Sequence, residues 1–477
     1  MKPLHLSQIA RMTGGRLHGD DAVVTTVATD TRALPQGGAA LFIALKGERF
    51  DAHDHVASLP ADKVAAVLVS RELDIAMPQV VVADTQRALA DLAAAVQRTR
   101  IEGGSGEKIV AITGSNGKTS VKALTLAILE RVGPTYATPG NRNNEIGLPL
   151  AVLDAPEGVR FAIYEMGAGQ PGDIAYLTAV VRPDVSVINN IAPGHLERMG
   201  SLLGVADTKA AIYDALPADG VAVINADDAF APYFAERAHG RRLVRFGLDA
   251  SADITARDIV AQADSSSFTL VTPQGEAAIT LALPGRHNVR NALAAAALAL
   301  GIGAPLQAVA EGLNAAKSVP GRLITYRLDN GAVLIDDSYN ANPGSLAAAI
   351  DTLSEGGGDA WLVLGDMREL GADAEAMHAE AGRRAKGARI ARLFTLGPFS
   401  AAATAAFGEG ATHFESHEAL ASALRAQLRE GVRVLVKGSR GSAMDRIVTA
   451  LIGNAHTESA PHDRAARSDT KGNPDAA

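Results

Sequence analysis

A glycine-rich stretch in the first third of the chain has the residue types that bind nucleotide phosphates. It spans Ala111–Lys122 and reads AITGSNGKTSVK. The run Lys108–Ile112 predicts a buried strand before it, and apolar residues at helical spacing over Val121–Leu129 predict a helix after it. In this context glycine-turn N–H groups and the helix N-terminus would bind phosphate oxygens, Lys118 would reach the β- and γ-phosphates, and the Thr119 hydroxyl would hold Mg²⁺. The predicted loop consists of Thr113, Gly114, Ser115, Asn116, Gly117, Lys118, Thr119 and Ser120.

The glycine spacing of this loop differs from the standard phosphate-loop pattern. That pattern places its first glycine at the position of Ile112, whereas the first glycine here is Gly114. An ordinary strand–helix turn with a solvated lysine is therefore the alternative interpretation. The predicted strand and helix on either side favour the phosphate loop.

Two further side chains follow predicted strands and would lie at the same sheet edge. Glu165 ends the apolar run Phe161–Met166, and His195 follows the run Val185–Asn190 in the sequence IAPGHLE. Ligands of open α/β sheets bind at the carboxyl ends of the strands. A carboxylate there would hold Mg²⁺ directly or through water, and the histidine is a candidate second metal ligand. The alternatives are a surface carboxylate and an ordinary loop histidine.

Lys209 lies on the apolar face of a predicted helix over residues 204–216. It is four residues after Val205 and three before Ile212, so it shares their stripe. A buried ammonium group is costly, and burial lowers its pKa. Two interpretations remain open at this point. Either Lys209 reaches water at the margin of the stripe, or its neutral amine reacts with CO₂ to give a carbamate that holds a metal.

Composition restricts the class of protein. The chain has 477 residues, 47% hydrophobic residues, a formal net charge of −8 and no cysteine. The length predicts about three domains. The acidic balance gives no reason to expect nucleic acid as a partner, and no apolar run reaches the roughly 18 residues of a membrane span. Met1–Arg11 does not resemble a signal peptide. We therefore predict a cytoplasmic enzyme without membrane insertion.

The alternation of apolar strands and helical patterns predicts an α/β protein with three domains. Residues 1–85 suit a small mixed α/β domain with short strands such as Val23–Val27. Residues 86–316 suit a central domain with a parallel sheet, like that of P-loop ATPases, and 317–453 suit a C-terminal, Rossmann-like doubly wound domain. The polar residues 454–477 predict a disordered tail.

Four motifs together resemble those of the Mur ligase family, ATP-dependent enzymes that build the peptidoglycan stem peptide. They are TGSNGKTS at 113–120, YEMGA around Glu165, GRHNVRNA at 285–292 and PGR at 320–322. The resemblance covers about residues 6–453. It implies ATP between the central and C-terminal domains, with one Mg²⁺ on Thr119 and Glu165. It also implies a second Mg²⁺ on Glu165, His195 and a carbamylated Lys209.

Four other stretches resemble the members of the family that join D-Ala-D-Ala to UDP-N-acetylmuramoyl-tripeptide. They are DTR with ALKGERFDAHD (30–32, 44–54), GNRNNEIG (140–147), DDSYNANP (336–343) and VKGSR (436–440). The third stretch is the most discriminating within the family. A sister ligase that adds another amino acid is the first alternative, and a nucleotide-switched binding protein is the alternative of a different class.

The resemblance also implies a mechanism with assigned residues. The tripeptide carboxylate attacks the γ-phosphate, an acyl phosphate forms, and the amine of D-Ala-D-Ala displaces phosphate. We expect a monomer. The implied catalytic residues are Lys118, Glu165, His195, Lys209 and Arg322. The implied nucleotide contacts outside the loop are Asn288 or Asn291 for adenine, Asp336 or Asp337 for ribose, and Arg322 near the γ-phosphate. The implied substrate contacts are Thr31, Arg32 and Lys46 for the UDP moiety, with Asn141, Asn143, Asn144, Tyr339, Asn340, Lys437, Ser439 and Arg440 for the rest.

Overall fold

The computed structural model describes residues 1–47, 50–104, 106–262 and 264–453. The predicted tail, 454–477, lies outside the described residues. The described part is an α/β protein with one large sheet in each of three successive regions, and two small antiparallel sheets. This arrangement confirms the predicted fold class.

The N-terminal region has a five-stranded mixed sheet in the order β2-β7-β6-β5-β4, and β1 pairs with β3. The predicted strand Val23–Val27 is two strands, because the chain changes sheets at Thr25, whose N–H donates to the Ala39 carbonyl. The strands are β1 (Leu4–His5), β2 (Arg16–His18), β3 (Val23–Val24), β4 (Thr26–Ala28), β5 (Ala40–Ile43), β6 (Val64–Val69) and β7 (Gln79–Val81). The helices are α1 (Leu6–Thr13) and α2 (Thr85–Glu102).

The central region is built on a fully parallel six-stranded sheet in the order β13-β12-β11-β8-β10-β9, followed by the antiparallel sheet β14-β15-β16. The parallel strands are β8 (Lys108–Thr113), β9 (Thr135–Ala137), β10 (Phe161–Glu165), β11 (Val185–Ile188), β12 (Val221–Asn225) and β13 (Arg242–Phe246). The others are β14 (Thr255–Ala261), β15 (Ser266–Thr272) and β16 (Gly275–Leu281). The helices are α3 (Lys118–Leu129), α4 (Gly147–Asp154), α5 (Asp173–Val181), α6 (Leu196–Met199), α7 (Leu202–Asp214), α8 (Ala231–Arg237), α9 (Arg286–Gly301) and α10 (Leu306–Ala315).

The C-terminal region is a second six-stranded sheet, in the order β17-β18-β22-β19-β20-β21, in which only the edge strand β17 runs antiparallel. Its strands are β17 (Ile324–Arg327), β18 (Val333–Asp337), β19 (Asp359–Gly365), β20 (Arg392–Leu396), β21 (Ala411–Phe414) and β22 (Val432–Lys437). Its helices are α11 (Pro343–Glu355), α12 (Ala374–Gly387), α13 (Ala401–Phe407), α14 (His417–Gln427) and α15 (Asp445–Ile452).

Burial on both faces explains the continuous apolar strands of the two parallel sheets. In β10 every residue is buried, and in β8 all but the first are, as expected where helices cover both faces. One apolar cluster runs from α1 through α2 and α4 to α8, so the N-terminal and central regions share a core. The C-terminal sheet has separate clusters. Among the described residues, no helix is long and apolar enough to cross a membrane.

Candidate active site

The predicted phosphate loop joins the carboxyl end of β8 to the first turn of α3. Gly117 precedes the helix with φ of 79°, and a Cβ there would lie 2.4 Å from Nδ2 of Asn189. Both the backbone angle and the space therefore require glycine. The segment that follows β11, the strand beside β8 in the sheet, holds the loop in place. The Asn116 N–H donates to Oδ1 of Asn190 at 2.9 Å, and the Ser115 hydroxyl donates to the Ala192 carbonyl.

Glu165, at the end of β10, lies directly beside the loop. The Thr119 hydroxyl is 3.0 Å from Oε2 and 3.2 Å from Oε1 of this carboxylate. Nδ2 of Asn143 donates to Oε1 at 2.9 Å, and Nζ of Lys122 lies 3.1 Å from Oε2. The structure thus brings two predicted residues, Thr119 and Asn143, to the buried carboxylate of a third, Glu165.

The charge of Glu165 is stabilised by two lysines of α3. Burial alone raises the pKa of Glu165, but the positive charges of Lys122 and Lys118 outweigh burial and hold its pKa below the ordinary value. Burial, together with the charge of Arg322, lowers the pKa of Lys118, and Glu165 opposes that shift. Nζ of Lys118 donates to the Gly114 carbonyl at 2.9 Å. A carboxylate and an ammonium group therefore lie close to each other at the start of α3.

Lys122 is a residue that the sequence reasoning missed. Its buried ammonium group donates to the carbonyls of Thr138 at 2.9 Å and Gly140 at 2.7 Å, besides contacting Glu165. It ties the asparagine-rich loop that follows β9 to α3. Its position four residues after Lys118, on the same helix face, was a usable signal.

We expect Lys122→Met to destabilise the protein, because it leaves the buried Glu165 carboxylate without the ammonium group that contacts it directly. Breaking a buried pair in this way costs about 3–5 kcal/mol. Lys108→Met is the matched control, since Lys108 forms an exposed pair with Asp184, and such pairs contribute about 1 kcal/mol or less. Urea unfolding of both variants measures the difference. Equal midpoints would show that the Lys122 pair is dispensable.

The C-terminal region reaches the phosphate loop at two points. Nη2 of Arg322 donates to the Thr119 hydroxyl at 2.9 Å, and Nδ2 of Asn342 donates to Oδ1 of Asn116 at 2.7 Å. Nε of Arg322 is buried and has no hydrogen-bond acceptor among the described residues. A buried donor without an acceptor is unfavourable, so this N–H group suits a ligand oxygen at the loop.

The two asparagines predicted to contact adenine lie on α9 behind the loop. Nδ2 of Asn189 donates to Oδ1 of Asn291 at 3.0 Å, and Asn291 donates to Oδ1 of Asn288 at 3.2 Å. Both are buried, and Asn288 also donates to the Pro284 carbonyl. Beside this row, a cavity of about 430 Å³ is lined by Asn190, Asn225, Ala226, Asp227, Asp228, Asp249, Ala250 and Arg290. It adjoins the loop through Asn190.

Most predicted residues of the C-terminal region meet at the carboxyl ends of β18 and β22. Nζ of Lys437 lies 2.6 Å from Oδ2 of Asp337 and donates to the Asn340 carbonyl at 2.9 Å. Burial raises the pKa of Asp336, whose Oδ1 accepts from the Ser338 hydroxyl. The remaining predicted residues here are Tyr339, which lies under Arg322, Ser439, which donates to the Ala341 carbonyl, and Arg440, which is exposed.

The predicted UDP contacts lie apart from this site. Thr31, Arg32 and Lys46 are exposed on the N-terminal region, and Arg32 is paired with Asp30. In the described ranges, none of the three is hydrogen-bonded to the phosphate loop. Of the asparagine-rich loop, Asn144 accepts from the Gly147 N–H at the start of α4. The roles predicted for these residues stay predictions.

His195 and Lys209 differ in how the structure places them. Nδ1 of His195 lies 2.7 Å from Oε2 of Glu369 in the C-terminal region, not beside Glu165. Lys209 is 3% exposed and has no hydrogen-bond or ion-pair partner in the described part of the chain. Burial, reinforced by the charge of Lys118, lowers its pKa to about 7, and Asp173 opposes the shift. Lys209 is thus buried and does not reach water at the stripe's margin.

The described residues contain no group of three histidine, aspartate or glutamate side chains placed to hold a metal ion. The second metal site predicted on Glu165, His195 and Lys209 has only two side chains of these types and needs the carbamate as its third ligand, so it stays a prediction. A carbamate on Lys209 would supply an additional anionic ligand. The sequence analysis did not identify Glu369, because its partner His195 lies far away in the chain, in the central region.

The fold and this site define a nucleotide-binding α/β enzyme whose phosphate loop is also contacted by a second α/β region. Two family models match the chain: the Mur ligase middle domain over residues 112–299, and the Mur ligase, glutamate ligase domain over residues 321–440. The chain belongs to the Mur ligase family. This confirms the resemblance seen in the sequence.

Individual relatives match this chain over most of its length. The UDP-N-acetylmuramoyl-tripeptide--D-alanyl-D-alanine ligase of Escherichia coli (strain K12) is 45% identical over 449 residues, 94% of this chain and 98% of the relative. A solved structure of MurF from Acinetobacter baumannii is 33% identical, with a TM-score of 0.89 over 95% of this chain and 99% of that one. MurF from Thermotoga maritima, solved in complex with ADP, is 26% identical, with a TM-score of 0.79 over 89% and 96% of the two chains.

Proposed function

We propose that this chain joins D-alanyl-D-alanine to the carboxylate of UDP-N-acetylmuramoyl-tripeptide and converts ATP to ADP and phosphate. It is an ATP-dependent ligase of peptidoglycan synthesis, the activity by which its full-length relatives are named. The observation that carries the assignment is the convergence on Thr119 of Glu165 from the central sheet and Arg322 from the C-terminal region. These groups surround the place where a γ-phosphate would lie.

ATP binds at the phosphate loop, as the complex of a relative with ADP supports. We assign Lys118 and the loop N–H groups to the phosphates and Arg322 to the γ-phosphate, where its unpaired Nε would donate. The cavity beside Asn190 and Arg290 has a volume suited to a nucleoside. Asn288, Asn291, Asp336 and Asp337 remain the proposed contacts for the base and the ribose.

The donor set beside the loop fits Mg²⁺. A hydroxyl and a carboxylate, 3.0 Å apart, are the hard oxygen ligands that this ion prefers. Thr119 and Glu165 would hold it, and when bound it neutralises charge on the phosphates. We further propose that Lys209 is carbamylated and, with Glu165 and His195, serves a second ion. His195 would have to leave Glu369 to do so.

The reaction then proceeds in two bond-forming steps. The tripeptide carboxylate oxygen attacks the γ-phosphorus, and the bond to the ADP oxygen breaks. Arg322 and Lys118 stabilise the charge that develops on the phosphoryl oxygens. The amine nitrogen of D-Ala-D-Ala next attacks the acyl carbon of the acyl phosphate. Phosphate leaves, and the amine gives up a proton.

The remaining assignments belong to the same proposal. Residues 1–85 form the domain that binds the UDP moiety, 86–316 the central ATP-binding domain and 317–453 the C-terminal ligase domain. The enzyme acts in the cytoplasm as a monomer. Thr31, Arg32 and Lys46 contact the UDP moiety. The asparagines of 141–144, together with Asn340, Lys437, Ser439 and Arg440, face the peptide substrates.

Phosphate release from ATP, with each peptide substrate omitted in turn, tests the function. We expect release only when UDP-N-acetylmuramoyl-tripeptide and D-Ala-D-Ala are both present, because the second substrate is needed to complete each turnover. Single D- and L-amino acids in place of the dipeptide are the controls. Release without either substrate, or with single amino acids, would contradict the assignment and leave a sister ligase or a simple ATPase.

A further inference from the structure

Two motifs that are separate in the sequence form one packed unit beside the phosphate loop. The guanidinium carbon of Arg322 lies 4.5 Å from the ring centroid of Tyr339. The same guanidinium group donates to Thr119 through Nη2. The Tyr339 ring therefore packs against the Arg322 side chain, which is proposed to contact the reacting phosphate.

The backbone holds this pair together. The Tyr339 N–H donates to the Gly321 carbonyl at 3.2 Å. Gly321 has φ of 71°, and a Cβ on it would lie 3.2 Å from Cβ of Tyr339. Glycine is favoured here, because a side chain would be strained at this angle and would press on Tyr339. The turn that carries Arg322 is thus hydrogen-bonded to Tyr339, the residue whose ring stacks against the Arg322 side chain.

The ring of Tyr339 is partly buried beside two guanidinium groups. A second guanidinium group, that of Arg440, lies 5.6 Å from the ring centroid. Burial raises the pKa of the Tyr339 phenol, and the Asn141 side chain, in the loop 140–147 of the central region, opposes that shift. The ring therefore packs against two of the protein's own cations.

We infer that Tyr339 is a positioning residue that fixes Arg322 over Thr119, and not a substrate contact as the sequence motif suggested. The inference rests on the proposed role of Arg322 at the γ-phosphate. A guanidinium group without its aromatic support samples other rotamers, so fewer molecules hold the arrangement that stabilises the transferring phosphoryl group. The peptide substrates would bind as before.

The test is a double-mutant cycle with Arg322→Ala and Tyr339→Leu, in the full chain with all three substrates. We expect Arg322→Ala to lower kcat roughly a thousandfold and Tyr339→Leu to lower it on the order of tenfold. In the Arg322→Ala background, Tyr339→Leu should change kcat less than about twofold, because the two residues act as one unit. The KM values for both peptide substrates should stay unchanged. Tyr339→Phe keeps the ring and should recover most of the kcat lost in Tyr339→Leu.

Other outcomes overturn the inference in distinguishable ways. If Tyr339→Leu lowers kcat tenfold in both backgrounds, or raises a peptide KM, Tyr339 acts on the substrate directly. If Arg322→Ala alone retains full activity, the γ-phosphate role fails, and the positioning role fails with it. If Tyr339→Leu melts well below the wild type, Tyr339→Met, which fills similar space without a ring, replaces it in the same cycle.

Discussion

Lys209→Ala is expected to lower ligase activity by roughly a thousandfold, the scale of losing a group that stabilises transition-state charge. Lys209 is a buried residue of α7 and has no hydrogen-bond or ion-pair partner in the described ranges. An isolated buried ammonium group is unfavourable, so its presence points to a chemical role. A carbamate explains it, because the neutral amine reacts with CO₂ and the product is an anion.

Two measurements separate this role from a structural one. Short carboxylates such as formate or acetate, added to Lys209→Ala, should partly restore activity by occupying the vacated space as an anion, whereas chloride at equal ionic strength should not. Lys209→Met should be inactive and yet unfold in urea no earlier than the wild type, because it removes a costly buried group. Full activity of Lys209→Ala would end the carbamate hypothesis.

Glu165→Gln is expected to lower activity by a similar factor, roughly a thousandfold. The substitution keeps the size of the side chain and removes the charge that would hold Mg²⁺ next to Thr119. It also leaves the buried Lys122 ammonium group without its carboxylate. A loss of stability would therefore accompany the loss of activity and confuse its interpretation.

The double variant Glu165→Gln, Lys122→Met resolves the two effects. Removing both members of a buried pair is often nearly neutral, whereas removing one is costly. We expect the double variant to regain much of the wild-type urea midpoint and to remain inactive. Recovery of activity in the double variant would show that Glu165 serves the fold and not the reaction.

Much of the fold follows from local pattern, because apolar periodicity depends on residues close together in the chain. The strand Lys108–Thr113, the glycine loop and α3 could all be read directly, since each has a distinct local signature. Helical spacing placed Lys209 on the apolar stripe of its helix but left open whether it reaches water, and only the structure shows that it is buried. The division of Val23–Val27 between two sheets did not, because strand pairing is decided by distant partners.

Part of the site likewise follows from local sequence patterns, and part does not. The residue types at Lys118, Thr119 and Glu165 were evident in the sequence, because a phosphate loop and a strand-end carboxylate have recognisable local contexts. The contacts that the C-terminal region makes with the loop follow from no local pattern: Arg322 and Thr119 are 203 positions apart, and Asn342 and Asn116 are 226 apart. Such contacts depend on how two domains pack, which no local pattern encodes. The sequence by itself determined the chemistry available to this enzyme, and only the tertiary structure decided which groups meet, because packing between domains brings together side chains that the chain keeps far apart.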